Sequence, residues 1–257
     1  MSEIKESAKT TETSLEIVDA LRSQDGASIK KLQELLDYSQ STVHRHLETL
    51  RKYGYVVKRR GEYHVGLQFL TVGGYAQRQT IAFPMIKEKV DELASETGER
   101  AQFIVEENGE RVYLYTEVGQ SSVQTGAFIG KRGPIHTSAG GKAILANSDQ
   151  DRVEEIIEAN GLPKTGPNSI SSREMLFEEL QTIRDRGYAF NRRESVRGVH
   201  AVGSAVTHPN GDVIGALSIS GPANRMTGDQ FEHSFPDKIL AAINELELHI
   251  EHSILSQ

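Results

Sequence analysis

The 257-residue chain contains no cysteine, so disulfides and thiolate metal sites are excluded. No apolar run approaches the ~18 residues that a membrane-spanning helix requires. The first ten residues, MSEIKESAKT, lack the apolar core of a secretory signal and read as a polar, frayed terminus. There is no G-x-S-x-G elbow and no H-E-x-x-H helix. The nine histidines are scattered without ligand spacing; His136, His200 and His208 are separated singles. These absences lead to the expectation of a soluble, cytoplasmic protein with no catalytic residue, no metal, no cofactor and no membrane partner.

What is present supports a globular product. Hydrophobic residues make up 37% of the chain, enough for a real core, and 25% of residues are charged. The charge is uneven. Residues 1–81 hold 12 Lys and Arg against 10 acids, while the remainder holds 17 against 26, within a total of −7. Such asymmetry suggests two modules with different partners. The stretch STVHRHLETLRKYGYVVKRR, Ser41 to Arg60, concentrates six basic residues around one acid, Glu48.

Periodicity gives the order of elements. Leu15, Val18 and Leu21 lie at helical spacing, with Thr13 or Ser14 as the cap and Gly26 after the end. Ile29, Leu32, Leu35 and Leu36 mark a second helix capped by Ser28. A break at Tyr38-Ser39-Gln40 precedes a third helix, striped by Val43, Leu47 and Leu50 and ended by Gly54. A small hairpin follows, turning at Arg60-Gly61. That order is a winged helix-turn-helix.

On the third helix, Ser41, Thr42, Arg45, Glu48, Thr49 and Lys52 oppose the apolar stripe. Recognition helices meet base edges with their N-terminal residues, and Arg grips guanine in bidentate fashion. We therefore assign Gln40, Ser41, Thr42, His44, Arg45, Thr49 and Lys52 to DNA, with Lys58, Arg59 and Arg60 on the wing for the phosphate backbone. His46 leans to the core side; His44 suits either role.

A linking helix is expected over 67–82, weakened by Gly73-Gly74, and Pro84 opens another helix. Beyond it strands and helices alternate. Hairpins turn at Asn108-Gly109 and at Pro209-Asn210-Gly211, a third strand is expected over SVQTGAFI, and a closing helix enters near Phe235-Pro236. The class is α+β, an antiparallel sheet flanked by helices. Expected boundaries are 1–12 flexible, 13–66 DNA-binding, 67–82 linker and 83–257 effector-binding.

GKRGPIHTSAGGKAILA is not a phosphate loop, because His136 and Ala143 occupy the positions that need Gly and Ser or Thr. It leaves two readings of Ala139 and Gly140. One is a helix N-terminus open to an anion; the other is tight packing of loop on sheet. In ALSISG, Ser218 and Ser220 alternate with Leu217 and Ile219 and so share one sheet face.

SLEIVDAL, STVHRHLETLRKYGYV, YHVGLQFLTVG, GPIHTSAGGKAILA, LQTIRDRGYAFNRRESVRGVHAVGSAV and GALSISGP together resemble IclR-type transcriptional regulators. The resemblance implies a winged helix, a linker helix and a GAF-like effector domain, assembled as homodimers or homotetramers on double-stranded promoter DNA. It also implies a small-molecule effector, with catabolic genes for sugars, sugar acids or other small carboxylates as targets, repressed or activated. Its effector site maps to Ala139, Gly140, Asn191, Val199, Ala201, Ser218 and Ser220, with Ile135 as a further wall. Asn191 stands where the family often has an acid, and Glu194 reads as a structural partner of its loop. The alternatives from other classes are an enzyme acting on a small anion and a sensor that signals by protein contacts alone.

Overall fold

The computed structural model describes residues 7–120 and 126–255, and the chain divides between Gln79 and Thr80 into two units. In the N-terminal unit, α1 (Lys9–Ser23), α2 (Ile29–Leu36) and α3 (Gln40–Lys52) precede a two-stranded wing, β1 (Val56–Arg59) and β2 (Glu62–Val65). Ser28 and Ser39 cap α2 and α3 by accepting the N–H of Lys31 and Thr42, each at 3.2 Å. The wing turns through Arg60 and Gly61, both at positive φ, which matches the twist of a tight hairpin. Ile17, Leu21, Leu32, Val43, Leu47, Val56 and Tyr63 form the core beneath.

The start of α1 corrects the sequence reading. The helix begins at Lys9, so residues 9–12 are its first turn, and neither Thr13 nor Ser14 is a cap. Inside the helix their hydroxyls bond back to the carbonyls of Lys9 and Thr10. The buried stripe is Thr13, Ile17, Ala20 and Leu21, and Leu15 lies outside it, 56% exposed. The unit ends with α4 (Gln68–Arg78), on which no residue is buried.

The second unit is built on one antiparallel sheet in the order β5-β4-β3-β8-β7-β6. Its strands are β3 (Arg100–Glu107), β4 (Glu110–Val118), β5 (Arg132–Pro134), β6 (Ala189–Arg192), β7 (Val199–Thr207) and β8 (Val213–Pro222). The sequence places a third strand over residues 122–129. Residues 122–125 lie outside the described residues, and 126–129 form no strand. Among the described residues the next strand is β5, and positive φ at Gly126 and Gly130 interrupts any extended run between those two glycines. β6 carries no alternation long enough to be expected.

Helices cover both faces. α5 (Phe83–Thr97) and α9 (Phe235–Leu255) pack on Phe103, Val202, Leu217 and Ile219. On the other face, Ile104, Ala201, Ala205 and Ala216 meet α6 (Ala139–Ala146), which α7 (Gln150–Asn160) and α8 (Arg173–Arg186) back. A 3-10 turn, Ile135–Thr137, leads into α6. The first turn of α6 lies almost on β7. A Cβ on Gly203 would stand 2.8 Å from the Gly140 nitrogen, so only glycine permits this approach.

Gly203→Ala therefore forces backbone to move. We expect a loss of about 1–3 kcal/mol in unfolding free energy. Chemical denaturation followed by circular dichroism checks it; an unchanged midpoint would show that α6 can shift freely.

Candidate functional site

The outer face of α3 is set by its inner one. Val43 and Leu47 are fully buried, which turns Gln40, Ser41, His44, Arg45, Thr49 and Lys52 outward into solvent, with Thr42 half-buried. The one acid, Glu48, pairs with Arg51 at 2.6 Å. Arg45, by contrast, has no ion pair among the described residues, nor do Lys58, Arg59 and Arg60, all exposed on the wing. Five of the expected side chains have partial engagements. The Ser41 and Thr42 hydroxyls lie 3.0 and 2.9 Å from the Ser39 hydroxyl, and Lys52 lies 5.6 Å from the Tyr53 ring centroid. The Thr49 hydroxyl donates to the Arg45 carbonyl at 2.9 Å, and Lys58 lies 5.0 Å from the Tyr63 ring centroid. The two histidines separate: His44 is exposed, whereas His46 is buried, 2.8 Å from the Ser14 hydroxyl. Burial lowers the pKa of His46, with the charge of Arg45 adding to the effect.

In the second unit, sheet register brings distant residues into rows. Arg100 of β3 pairs with Ser220 of β8, Ser220 with Ala201 of β7, and Ala201 with Asn191 of β6. The adjacent row runs Gln102, Ser218, Gly203, Ala189. All of these face α6. A cavity of about 40 Å³ opens there. Measured as space for water centres, that is room for about three waters.

Six of the seven expected residues line it: Ala139, Asn191, Val199, Ala201, Ser218 and Ser220. Gly140 does not, because its α-carbon faces the sheet, where a Cβ would meet Ile104 at 2.9 Å. Nor does Ile135, which walls a different pocket. At the start of α6, Ala139 borders the cavity, while Gly140 is packed on the sheet.

The polar groups of the wall are largely engaged with each other. Ser220 donates to Gln102 Oε1 at 3.1 Å, Gln102 Nε2 donates to the Ser218 hydroxyl at 3.1 Å, and Ser218 donates to the Val202 carbonyl at 3.0 Å. Asn191 gives its two N–H groups to the Thr137 carbonyl at 2.8 Å and the Ser195 hydroxyl at 2.9 Å. Its Oδ1 accepts the Glu194 N–H at 2.9 Å. Asn191 therefore locks its own loop. Glu194 turns away from the cavity to buried Lys142, which lies 2.8 Å from Oε2, and burial raises the Glu194 pKa against that attraction.

The wall also contains groups that sequence reasoning missed: Gln102, Arg111, Tyr113 and Ser195. Arg111 is only 7% exposed. One guanidinium nitrogen donates to the Pro134 carbonyl at 2.8 Å and the Thr137 hydroxyl at 3.0 Å, while its Nε has no partner among the described residues. Arg100, also buried, likewise leaves Nε without a partner among the described residues, and burial lowers its pKa. Neither forms an ion pair with a carboxylate among the described residues. The signal in the sequence was a basic or amide residue on the same strand face as apolar ones, as in Arg100-x-Gln102-x-Ile104.

His136, on the 3-10 turn, is 2% exposed. Burial pushes its pKa down to about 4, helped by the charges of Arg111 and Lys142 and opposed by the Pro163 carbonyl. Among the described residues no group of three His, Asp or Glu is placed to hold a metal ion, and no helix is long and apolar enough to cross a membrane.

The chain matches two family models. Residues 11–60 match the IclR helix-turn-helix domain, and residues 73–247 match the bacterial transcriptional regulator IclR C-terminal domain. It is 32% identical over 242 residues to the probable HTH-type transcriptional regulator ArcR of Halobacterium salinarum, covering 92% of each chain. It is 29% identical over 231 residues to the HTH-type transcriptional repressor AllR of Escherichia coli K12, covering 87% of this chain and 84% of that one. Among solved structures, the IclR protein of Thermotoga maritima shares the fold with a TM-score of 0.80 at 24% identity, over 94% of this chain and 98% of that one. A putative transcriptional regulator from Rhodococcus sp. RHA1 does so at 0.82 and 17%, over 96% and 100%.

His136 generates a pH prediction. Its folded pKa lies below the unfolded value, so the folded state resists protonation and stability falls as pH drops from 6.5 to about 4. Glu194, with a raised pKa, acts with the opposite sign. Comparing wild type with His136→Leu isolates the histidine: the variant should lose less stability across that window, measured by thermal melts. Parallel profiles would contradict the assignment.

Proposed function

The chain belongs to the IclR family of transcriptional regulators, and from that membership we propose that it grips double-stranded promoter DNA as a homodimer or homotetramer and adjusts that grip when a small effector enters the cavity. It is a regulator with a DNA-binding helix-turn-helix and not an enzyme, so the enzymatic alternative falls. The first turns of α3 enter the major groove with Gln40, Ser41, Thr42, His44 and Arg45. Thr49, Lys52 and the wing residues Lys58, Arg59 and Arg60 take phosphates, which positions the helix without reading sequence. A second copy supplies the second recognition helix. The exposed Leu67, Leu70 and Tyr75 of α4 and the residue before it support self-association, since apolar side chains gathered on one helix seek cover.

One observation carries the effector reading: the cavity includes a buried guanidinium, Arg111, that no carboxylate of the described chain neutralises. A buried charge without a counter-charge is costly. An acidic ligand would relieve that cost, and the first turn of α6 at Ala139 favours the same sign. The Ser218 and Ser220 oxygens, Asn191, Val199 and Ala201 then shape the site. Small carboxylates are the ligand class, and genes for their breakdown in the cytoplasm are the targets. The effector changes DNA affinity only by its preference between two arrangements of the protein.

Two outcomes are expected. Arg45→Ala should lose about 1–3 kcal/mol of specific binding to an operator mapped by genome-wide occupancy. Replacing Lys58, Arg59 and Arg60 together by Ala should make the log–log salt slope shallower by about one unit for each phosphate no longer neutralised. Anisotropy titrations at several salt concentrations measure both, and wild-type values would remove α3 and the wing from the interface.

For the cavity, Arg111→Gln should weaken the best carboxylate of a screened set about ten- to a hundredfold, the worth of a charged hydrogen bond. Ligand-free DNA binding should stay near wild type. Calorimetry on the folded variant decides; equal affinity would place the effector elsewhere.

A further inference from the structure

A second and larger pocket lies at the Ile135–Thr137 turn, just before the Ser138 and Ala139 that line the cavity. It encloses about 310 Å³ between that turn, the Gly109-Glu110 hairpin end, the last turn of α7 and Leu162-Pro163. Most of its wall is apolar, with Leu145, Ile156, Leu162 and Leu176 prominent. A hollow of a few hundred Å³ with apolar walls and few polar groups is the usual form of a small-molecule site.

His136 contributes one of those polar groups. Its Nε2 is sheltered from water and has no hydrogen-bond partner among the described residues. Buried polar atoms are nearly always satisfied, so an orphan beside a hollow calls for an explanation. The ring is neutral near neutral pH, since burial and the charges of Arg111 and Lys142 disfavour the cation. The Pro163 carbonyl faces the ring and favours an N–H there, which leaves Nε2 as a lone-pair acceptor. An ionised carboxylate has no proton to give it. An ammonium would meet the positive field of Arg111 and Lys142. A neutral hydroxyl fits.

We propose that this pocket is an accessory ligand site for a small neutral molecule with an apolar body and one hydroxyl, which donates its proton in a hydrogen bond to His136 Nε2. The site is separate from the effector cavity but one residue away from its supports. Thr137, next to His136, accepts Asn191 through its carbonyl and Arg111 through its hydroxyl. An occupant that presses on the turn therefore acts on the two side chains that frame the cavity.

Phenol is the probe, and toluene, of the same shape without the hydroxyl proton, is its control. Calorimetry on the full chain should show saturable phenol binding in the millimolar range or tighter. Ala159→Trp plugs the rim from an exposed position and should weaken phenol at least tenfold without changing the melting temperature. Ser220→Ala, in the other cavity, should leave it unchanged. In His136→Leu the phenol-to-toluene affinity ratio should fall roughly three- to tenfold, the worth of one neutral hydrogen bond. No saturable phenol binding, equal binding by Ala159→Trp, loss of binding in Ser220→Ala, or an unchanged ratio in His136→Leu would each overturn the proposal. Should His136→Leu fail to fold, the nitrogen resonance of wild-type His136 Nε2 carries the same test: it shifts on accepting a hydrogen bond, and no shift at saturating phenol overturns the assignment.

Discussion

The close approach of the Gly140 and Gly203 backbones is the constraint on which the second unit depends. Neither residue has room for a side chain: a Cβ on Gly203 would sit 3.1 Å from the Gly140 α-carbon, and one on Gly140 would run into Ile104. Because α6 presses so closely on β7, Ser138 and Ala139 stand directly over the rows formed by β3, β8, β7 and β6. The turn before α6 is then held from two sides, by Asn191 through the Thr137 carbonyl and by Arg111 through the Thr137 hydroxyl. Move the helix outward by the width of a methyl group, and the cavity, its polar wall and the turn all lose their present geometry.

The distribution of donors and acceptors changes the weight given to each wall residue. The serine hydroxyl protons and the Asn191 amide protons are already committed inside the protein. They hold the shape of the cavity and offer acceptor oxygens. Among the described residues, the fully buried donor of the wall without a partner is Arg111 Nε, with Arg100 adding charge one strand away. That division explains how Asn can stand at a position where an acid is frequent in the family. A carboxylate there could not donate to the Thr137 carbonyl, and it would answer the positive charge that an acidic effector is proposed to answer.

The N-terminal unit uses charge differently. Its core is small and its helices short, so stability rests on capped starts and on the packed stripe through Ile17, Leu32, Val43 and Leu47. Its basic residues are left on the surface, and the acid among them is spent on Arg51. Their use lies in a partner that carries charge of the other sign, as DNA does. The acidic excess of the rest of the chain does not weaken this, because phosphate binding depends on the local field within about 8–10 Å at moderate salt.

Local chemistry was legible in the sequence alone. A serine before an apolar stripe gave the start of α2, the break at Tyr38-Ser39-Gln40 set α3 apart, glycine turns gave the hairpins, and the stripe of Val43 and Leu47 fixed by simple geometry which side of α3 Arg45 would occupy. Alternation put Ser218 and Ser220 on one face. The start of α1 was misread because its hydroxyl residues bond along their own helix, a choice made by the packing of Thr13 and Ile17 rather than by residue type. The cavity required more. Arg100, Asn191, Ala201 and Ser220 span 121 positions of the chain, yet register sets them side by side across four strands. Whether a buried arginine has a counter-charge, and whether a histidine nitrogen has a partner, depends on every segment that folds around it. Sequence determines what each residue is able to offer; only the packed structure decides which offers are already taken.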